Sequence, residues 1–217
     1  MRELRKDYFI DKEITLYQNK DHFCFNTDTK LLAKFMKIKK GDVVLDIGTN
    51  NGALLVWADQ MEVKQLIGVE VLKESFEVAK WNAKNFIHDT ILINQPIQEV
   101  DIEPVDCIIS NPPFFTQNET HPNTKMNIRQ LGRVEINLSL EDLIYHASRL
   151  LKSNGRFYFV HRPARIHEIM NVLSKYQFKA KTIGFAYDSR DRECKSLLVE
   201  AIKEGQCNCQ ILPPIEI

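Results

Sequence analysis

From about residue 41 onwards, short apolar segments alternate with longer segments in which apolar residues recur every three or four positions. The first pattern predicts buried strands, and the second predicts amphipathic helices. Strands that alternate with helices in this way are typical of parallel α/β sheets. The predicted parallel strands cover residues 43–47, 65–70, 90–93, 105–110 and 156–160.

Four segments carry the helical pattern. One of them begins at Ser139, where Ser139 and Asp142 have the spacing of a capping box, and Asn154-Gly155 is expected to stop it. Two further alternating segments near the end of the chain are typical of an antiparallel strand pair at a sheet edge. The predicted helices cover residues 53–60, 73–86, 139–151 and 165–176, and the antiparallel strands cover 179–187 and 195–202.

These elements predict a single α/β domain over residues 1–217. Its core, residues 41–217, is expected to be a Rossmann-like, mostly parallel seven-stranded sheet with helices on both faces and an antiparallel edge strand. Residues 1–40 form an N-terminal extension with a helix predicted over 28–37. Residues 115–134 are polar and rich in asparagine, and long loops of this kind commonly carry function.

The composition, 44% hydrophobic and 27% charged residues, is that of an ordinary soluble globular protein. The first seven residues lack the apolar core of a signal peptide, and no apolar run approaches the roughly 20 residues of a membrane helix. Five scattered cysteines, an odd number, favour a reducing compartment. Cys207 and Cys209 have no second cysteine pair or nearby histidine to complete a metal site. We therefore expect a cytoplasmic protein with no metal and no membrane partner.

The formal net charge is zero, but the charge is unevenly distributed along the chain. Residues 41–110 hold four Lys/Arg and twelve Asp/Glu, whereas residues 149–195 hold eleven Lys/Arg and four Asp/Glu. Binding of a nucleic acid requires a local positive surface and not a basic total. The basic stretch therefore allows a polyanionic partner, although any single lysine in it is as well explained by solvated surface.

The tetrapeptide Asn111-Pro112-Pro113-Phe114 directly follows a predicted strand and carries the strongest indication of chemistry. An asparagine oxygen and a nearby backbone carbonyl accept hydrogen bonds from both N–H groups of an amine conjugated to a π-system. They thereby position the amine and favour its pyramidalisation. The prolines stiffen the loop, and Phe114 offers a face on which a base stacks. The tetrapeptide resembles motif IV of the amino-group methyltransferases that use S-adenosylmethionine; the alternative is a proline-rich turn that caps a strand.

The segment from Asp46 to Gly52 resembles motif I of these methyltransferases, the S-adenosylmethionine-binding loop that follows the first strand. Glycine lets the backbone approach a ligand closely and adopt positive φ angles. Gly48 and Gly52 keep their places, whereas Asn50 replaces the middle glycine, and asparagine tolerates positive φ better than most residues. A nicotinamide-dinucleotide site would need the spacing G-x-G-x-x-G, which this segment lacks.

Further cofactor contacts are expected at the ends of the first three strands. Asp46 suits the cationic end of S-adenosylmethionine, and a carboxylate at the position of Glu70 accepts hydrogen bonds from both ribose hydroxyls. In related enzymes an aspartate after the third strand binds the adenine amino group of the cofactor. Pro96 occupies that position here, and Gln95 is the candidate to replace it through its amide oxygen. Asn111 completes the expected cofactor site.

Together with the segments around them, these motifs resemble the YfiC-like tRNA adenine-N6 methyltransferases over nearly the whole chain. The resemblance implies an S-adenosylmethionine-dependent methyltransferase fold, with Thr27 and Asp28 at the cofactor site. It also implies methylation of adenine 37, just 3′ of the anticodon of a valine tRNA. The flanking segments that carry it are FNTDTKLL (25–32), RVE (133–135), VHRP (160–163) and ILPP (211–214).

A base beside the anticodon lies in a loop, so its extrusion costs less than flipping out of a duplex. We expect the anticodon stem-loop to contact the N-terminal extension, the loop over 115–134 and the basic stretch over 149–195. Arg133 alternatively pairs with Glu135 and only orders the loop. The candidate RNA-binding residues are Lys125, Arg129, Arg133, Arg162 and Arg165.

Two other functions remain open on the sequence alone. One is the same amino-methyl chemistry on guanine N2 of ribosomal RNA or on a protein glutamine. Glutamine-modifying enzymes normally carry an added N-terminal helical domain, which 40 residues cannot supply. The other is a non-catalytic RNA-binding protein, although the intact tetrapeptide and the single tolerated change in motif I favour an enzyme. The sequence does not distinguish a monomer from a homodimer.

Overall fold

A mixed β-sheet lies at the centre of the protein in a computed structural model. The structure describes residues 4–10, 14–116, 134–190, 192–206 and 208–217. The strands are β1 (Arg5–Tyr8), β2 (Thr15–Gln18), β3 (Val43–Ile47), β4 (Gln65–Val69), β5 (Thr90–Ile93), β6 (Val105–Ser110), β7 (Leu151–His161), β8 (Phe178–Tyr187), β9 (Cys194–Lys203), β10 (Gln210–Ile211) and β11 (Ile215–Glu216). The α-helices are α1 (Thr27–Phe35), α2 (Ala53–Asp59), α3 (Lys73–Phe86), α4 (Leu140–Leu150) and α5 (Ile166–Lys175).

The sheet has the predicted Rossmann-like architecture. Seven of its strands follow the order β8-β9-β7-β6-β3-β4-β5, and the neighbours from β7 to β5 are parallel. Strand β9 is antiparallel to both β7 and β8, as expected for the last strand pair. The two-residue strands β10 and β11 pair with β8 and were not predicted.

Alternate residues of the central strands pack on opposite faces of the sheet. On one face, Leu45 shares a hydrophobic cluster with Leu143 of α4. On the other face, Val44 shares a cluster with Leu32 of α1 and Leu55 of α2. Because strand side chains alternate with a period of two, a strand buried on both faces is apolar at nearly every position. Among the described residues, no helix has both the length and the apolar character needed to cross a membrane.

The capping box at the start of α4 is present, since the backbone N–H of Asp142 donates to Ser139 Oγ at 3.0 Å. The helix ends at Leu150, and Asn154 does not serve as its stop signal. Instead, Asn154 has a φ of 61° inside β7. There the pairing with β6 moves from Leu151 directly to Arg156. The positive φ therefore belongs to a strand irregularity and not to a helix end.

The N-terminal extension contains a hairpin, β1–β2, that the sequence did not predict. Its strands have four residues each, and β1 is largely polar. Phe9 and Leu16 of the hairpin are fully buried in the same cluster as Leu32 and Val44. The hairpin therefore depends on tertiary burial, because two short strands are marginal on their own.

Candidate active site

The carboxyl ends of β3, β4 and β6 border a cleft, where ligands bind in open α/β sheets. The main cleft, as we name it, encloses about 1010 Å³ of empty space, including the part open to solvent. A second space of about 550 Å³, the side cavity, adjoins it and is lined in part by the same residues. The residues that line both are Phe23, Asn111, Pro112 and Pro113.

The loop after β3 has the conformation that its glycine pattern predicts. Gly48, Asn50 and Gly52 have φ angles of 74°, 52° and 79°, so Asn50 adopts the left-handed conformation that the middle glycine of the motif would take. The backbone N–H groups of Gly48 and Thr49 both donate to the carbonyl of Val69 at 2.9 Å. These hydrogen bonds join the loop to the end of β4, where residues of the loop line the main cleft.

Asn50 also connects this loop to the N-terminal extension. Its side-chain Nδ2 donates to the carbonyl oxygen of Phe23 at 2.6 Å. A glycine at this position would adopt the same backbone conformation but would lack that hydrogen bond. The substitution within motif I therefore adds a contact to Phe23, which itself lines the main cleft.

Glu70 lies directly after β4 with a nearly buried carboxylate. Oε2 accepts a hydrogen bond from the backbone N–H of Asn50 at 2.9 Å, and Oε1 accepts one from that of Leu72 at 2.8 Å. Burial raises the pKa of Glu70, and these hydrogen bonds partly oppose that rise. Each oxygen retains lone-pair capacity, so the carboxylate can still accept hydrogen bonds from two neighbouring hydroxyl groups.

Asp46, the last residue but one of β3, lines the main cleft and is 1% exposed. Neither of its carboxylate oxygens has a hydrogen-bond partner among the described residues. Burial raises the pKa of Asp46 to about 7; the neighbouring Thr49 hydroxyl partly opposes this rise, and the Glu70 charge adds to it. A buried carboxylate without a partner is costly unless a cation binds beside it. The arrangement therefore fits a positively charged ligand.

Gln95 and Pro96 both line the main cleft, on the side formed by the segment after β5. Pro96 precedes a single 3₁₀ turn, Ile97–Glu99, and has no N–H to donate. Gln95 is exposed at the rim of the cleft, where its amide is available to a ligand. Its assignment as the replacement for the missing aspartate remains a prediction.

The tetrapeptide after β6 lies between the two cavities. Asn111 Nδ2 donates to Thr29 Oγ1 at 2.9 Å. The Phe114 ring lines the side cavity and packs on the His161 ring, with 5.0 Å between the centroids. Burial, with the neighbouring Arg165 and Arg162 charges, lowers the pKa of His161 to about 3, so the imidazole is neutral at physiological pH. A planar group in the side cavity would thus meet an aromatic surface beside the Asn111 amide.

Residues 14–187 match the family described as the methyltransferase small domain. The chain belongs to this family. It is 32% identical over 157 residues to a tRNA1(Val) (adenine(37)-N6)-methyltransferase of Dyadobacter fermentans, and the match covers 70% of this chain and 64% of that protein. A Parabacteroides distasonis protein of the same name is 28% identical over 199 residues, which is 89% of this chain and 82% of that protein.

Among solved structures, the tRNA m1G37 methyltransferase of M. jannaschii superposes with a TM-score of 0.69 at 16% identity, covering 93% of this chain and 55% of that chain. This likeness supports the fold. The resemblance noted in the sequence and the expected fold class are thus confirmed. Asp46, Glu70 and the loop after β3 suit S-adenosylmethionine, which carries a cationic sulfonium group and a ribose.

The resemblance implied Thr27 and Asp28 at the cofactor site, and the structure places neither of them in the lining of the main cleft. Thr27 is exposed and lines neither cavity, and Asp28 lines the side cavity only. The residues of the 25–32 segment that line the main cleft are Phe25 and Thr29, and Thr29 lies in the first turn of α1. Thr29 is not among the residues predicted from the sequence. The signal that could have identified it is its position three residues after Asn26, because this spacing is typical of a helix cap.

The five candidate RNA-binding residues fall into two groups. Lys125, Arg129 and Arg133 lie outside the described residues. Arg162 follows β7, and its guanidinium lies 5.1 Å from the centre of the Phe115 ring at the mouth of the side cavity.

A phosphate contact requires a position at the surface, but Arg165 is buried. Its side chain is 9% exposed, and its guanidinium pairs with both Glu135 and Glu168. Glu135 itself follows Val134, which bridges to Phe115 at the two ends of the loop. Arg165 therefore neutralises carboxylates and joins α5 to the end of this loop. We remove it from the expected RNA surface.

The expectation of no metal concerned Cys207 and Cys209 in particular. Cys207 lies outside the described residues. Within the part of the chain that the structure describes, no group of three or more His, Cys, Asp or Glu side chains is arranged to hold a metal ion.

Proposed function

We propose that this protein transfers a methyl group from S-adenosylmethionine to N6 of an adenine in tRNA, the adenine beside the anticodon of a valine tRNA. The observation that carries the proposal is the position of Asn111, which lines both the main cleft and the side cavity. One space suits the cofactor and the other suits a planar base. The names of the relatives supply the substrate class.

In the main cleft, residues of the first two core strands hold the cofactor. Asp46 offers a buried carboxylate to a positively charged group, and Glu70 offers two acceptors to the ribose hydroxyls. Gly48 and Gly52 place no side chain in the space that the loop encloses, and the Asn50 side chain is bonded to the Phe23 carbonyl. When bound, the cofactor supplies an electrophilic methyl group on a sulfonium.

In the side cavity, the base is held for attack. The Phe114 ring stacks on it, and the Asn111 side-chain oxygen together with the Pro112 carbonyl accepts hydrogen bonds from the exocyclic amine. These acceptors favour a pyramidal nitrogen whose lone pair points at the methyl carbon. This nitrogen would accept the methyl group as S-adenosylhomocysteine leaves, and it would then lose a proton to water. No strong general base is required.

The RNA surface is proposed to include Arg162, beside the mouth of the side cavity, and the basic residues Lys125, Arg129 and Arg133. Several phosphate contacts would make tRNA binding strongly dependent on salt. We also propose that the protein acts in the cytoplasm, because its proposed substrate is tRNA.

The direct test is incubation of the protein with labelled S-adenosylmethionine and total tRNA from a strain that lacks the enzyme. The digested nucleosides are then analysed by mass spectrometry. We expect N6-methyladenosine from the wild-type protein and at least about 10²-fold slower formation by Asn111→Ala. Formation of N2-methylguanosine, or of no methylated nucleoside, would contradict the proposal.

A further inference from the structure

Helix α1 begins with a capping box that fixes the orientation of the Asn26 amide. The backbone N–H of Thr29 donates to Asn26 Oδ1 at 3.0 Å, and the backbone N–H of Asn26 donates to Thr29 Oγ1 at 3.2 Å. A backbone N–H is only a donor, so the atom facing it must be the oxygen of the Asn26 amide.

Asp28 supports the same orientation of Asn26. The other end of the amide, Nδ2, donates to Asp28 Oδ2 at 3.1 Å. A carboxylate is only an acceptor, so the atom facing it must be the amide nitrogen. Asp28 Oδ1 in turn accepts a hydrogen bond from Ser196 Oγ on β9. The cap of α1 is thereby connected to the antiparallel strand of the sheet.

The Thr29 hydroxyl has one hydrogen, and its direction follows from this arrangement. Oγ1 lies 3.0 Å from Asn26 Oδ1, an atom that can only accept. Without a hydrogen between them, two oxygens at this distance would repel, so the hydroxyl donates to Asn26. Towards Asn111 the hydroxyl then presents lone pairs only. Asn111 must offer Nδ2 to Thr29, at 2.9 Å, which leaves Oδ1 pointing elsewhere.

We infer that Thr29 is a positioning residue that holds the Asn111 amide in the orientation that presents its oxygen to the target amine. This inference rests on the proposed function, in which Asn111 Oδ1 accepts a hydrogen bond from that amine. With the amide reversed, its NH₂ group would face the amine, and two donors would oppose each other. Thr29 is 5% exposed, so water does not substitute for its hydroxyl.

The hydrogen bonds also have one direction along the chain of groups. Asp28 accepts from Asn26, Asn26 accepts from Thr29, and Thr29 accepts from Asn111. Hydrogen bonds arranged head to tail polarise one another, and a charged acceptor at one end strengthens the series. Residues at the start of α1, outside the two motifs, therefore connect the N-terminal extension to Asn111 of the tetrapeptide.

Two substitutions at Thr29 separate its hydroxyl from its volume. Thr29→Val keeps the shape and removes the hydroxyl, whereas Thr29→Ser keeps the hydroxyl. Thr90→Val is a matched control, because Thr90 Oγ1 makes a hydrogen bond to the Leu66 carbonyl far from both cavities. Removal of one positioned hydrogen-bonding group at a reaction centre lowers turnover by a factor of about 10²–10³. Loss of the orientation of the Asn111 amide, with the amide itself retained, should lower turnover by a smaller factor.

We therefore expect kcat to fall by about 10–100-fold in Thr29→Val and to recover to within about threefold in Thr29→Ser. KM for tRNA and the dissociation constant of S-adenosylmethionine should change by less than about twofold. A purely structural role would lower the melting temperature and the active fraction without this split between kcat and KM. Wild-type kcat in Thr29→Val, or no recovery in Thr29→Ser, would overturn the inference.

A second measurement does not depend on activity. In ¹⁵N-labelled protein, the Asn111 side-chain amide signal is identified by its absence in Asn111→Asp. We expect this signal to shift and its hydrogen exchange to accelerate in Thr29→Val, and both to return in Thr29→Ser. An unchanged signal would refute the hydrogen bond itself. If the signal behaves as expected but wild-type protein does not methylate tRNA, the proposed function fails and the amide orientation stands.

Discussion

The backbone N–H of Asn50 donates a 2.9 Å hydrogen bond to Oε2 of Glu70. Asn50, which replaces the middle glycine of motif I, is thereby held by the carboxylate that directly follows β4. In the same loop, the Asn50 side chain reaches Phe23 of the N-terminal extension. Glu70 thus orders the loop after β3, and in the proposed function it also offers its remaining lone pairs to the ribose of the cofactor.

Glu70→Ala should weaken S-adenosylmethionine binding by at least about tenfold, because each hydrogen bond to a charged group contributes about 1.5–3 kcal/mol. Isothermal titration calorimetry measures the change. Glu103→Ala, which removes an exposed carboxylate before β6, is the matched control. Unchanged affinity in Glu70→Ala would show that the ribose is bound elsewhere.

Asp46→Asn should stabilise the free protein while it weakens cofactor binding. The pKa of Asp46 is raised from 3.8 to about 7, so the folded state prefers the protonated form. The cost of ionising Asp46 is absent below about pH 4 and complete above pH 7. We expect the variant to gain about 1–3 kcal/mol in free energy of unfolding at pH 8 and almost nothing at pH 4. Urea denaturation at both pH values checks this, with the exposed Asp101→Asn as control.

Cofactor affinity should depend on pH through the same carboxylate. A cation binds to ionised Asp46, so the affinity for S-adenosylmethionine should fall as the pH decreases below about 7. The limiting slope is about tenfold per pH unit for one proton. Calorimetric titrations between pH 5.5 and 7.5 should show this slope in wild-type protein and a shallower profile in Asp46→Asn, in which Glu70, whose pKa burial also raises, is retained. Equal slopes in the two proteins would place the titrating group elsewhere.

Asn111→Ala should reduce kcat by about 10²–10³-fold, because it removes one positioned acceptor at the reacting amine. Its affinity for S-adenosylmethionine should stay within a fewfold of wild type. Phe114→Ala should lose base stacking worth about 1–3 kcal/mol, and Phe114→Tyr should retain activity because it keeps the ring. Steady-state kinetics with tRNA measure each variant. Near-normal turnover in Asn111→Ala would exclude the catalytic role.

Arg165→Ala should destabilise the fold and leave the RNA surface unchanged. It removes the guanidinium that neutralises the largely buried Glu135 carboxylate, and breaking a buried pair costs about 3 kcal/mol or more. Urea denaturation should show this loss, whereas Arg190→Ala, which removes an exposed guanidinium from its pair with Asp188, should cost less than about 1 kcal/mol. If folded Arg165→Ala instead shows a flatter salt dependence of tRNA binding than wild type, Arg165 contacts phosphate after all.

The amino-acid sequence by itself determined the order of the core strands and helices, because buried parallel strands and amphipathic helices carry their burial pattern locally. It also placed the two motifs correctly at strand ends, since the carboxyl ends of parallel strands meet at one edge. The αL conformation of Asn50 was predictable for a similar reason: the backbone preference of asparagine is a local property.

Only the tertiary structure decided which distant groups meet. Hairpin β1–β2 is stabilised because Phe9 and Leu16 pack into a hydrophobic cluster on the sheet. The largely polar sequence of β1 does not predict this packing. The sequence predicts Arg165 as a surface cation. In the structure it pairs with Glu135, which lies 30 positions earlier in the chain. Thr29 reaches Asn111 across 82 positions. Local patterns set secondary structure, whereas the partner of a hydroxyl or a charge depends on how the chain packs.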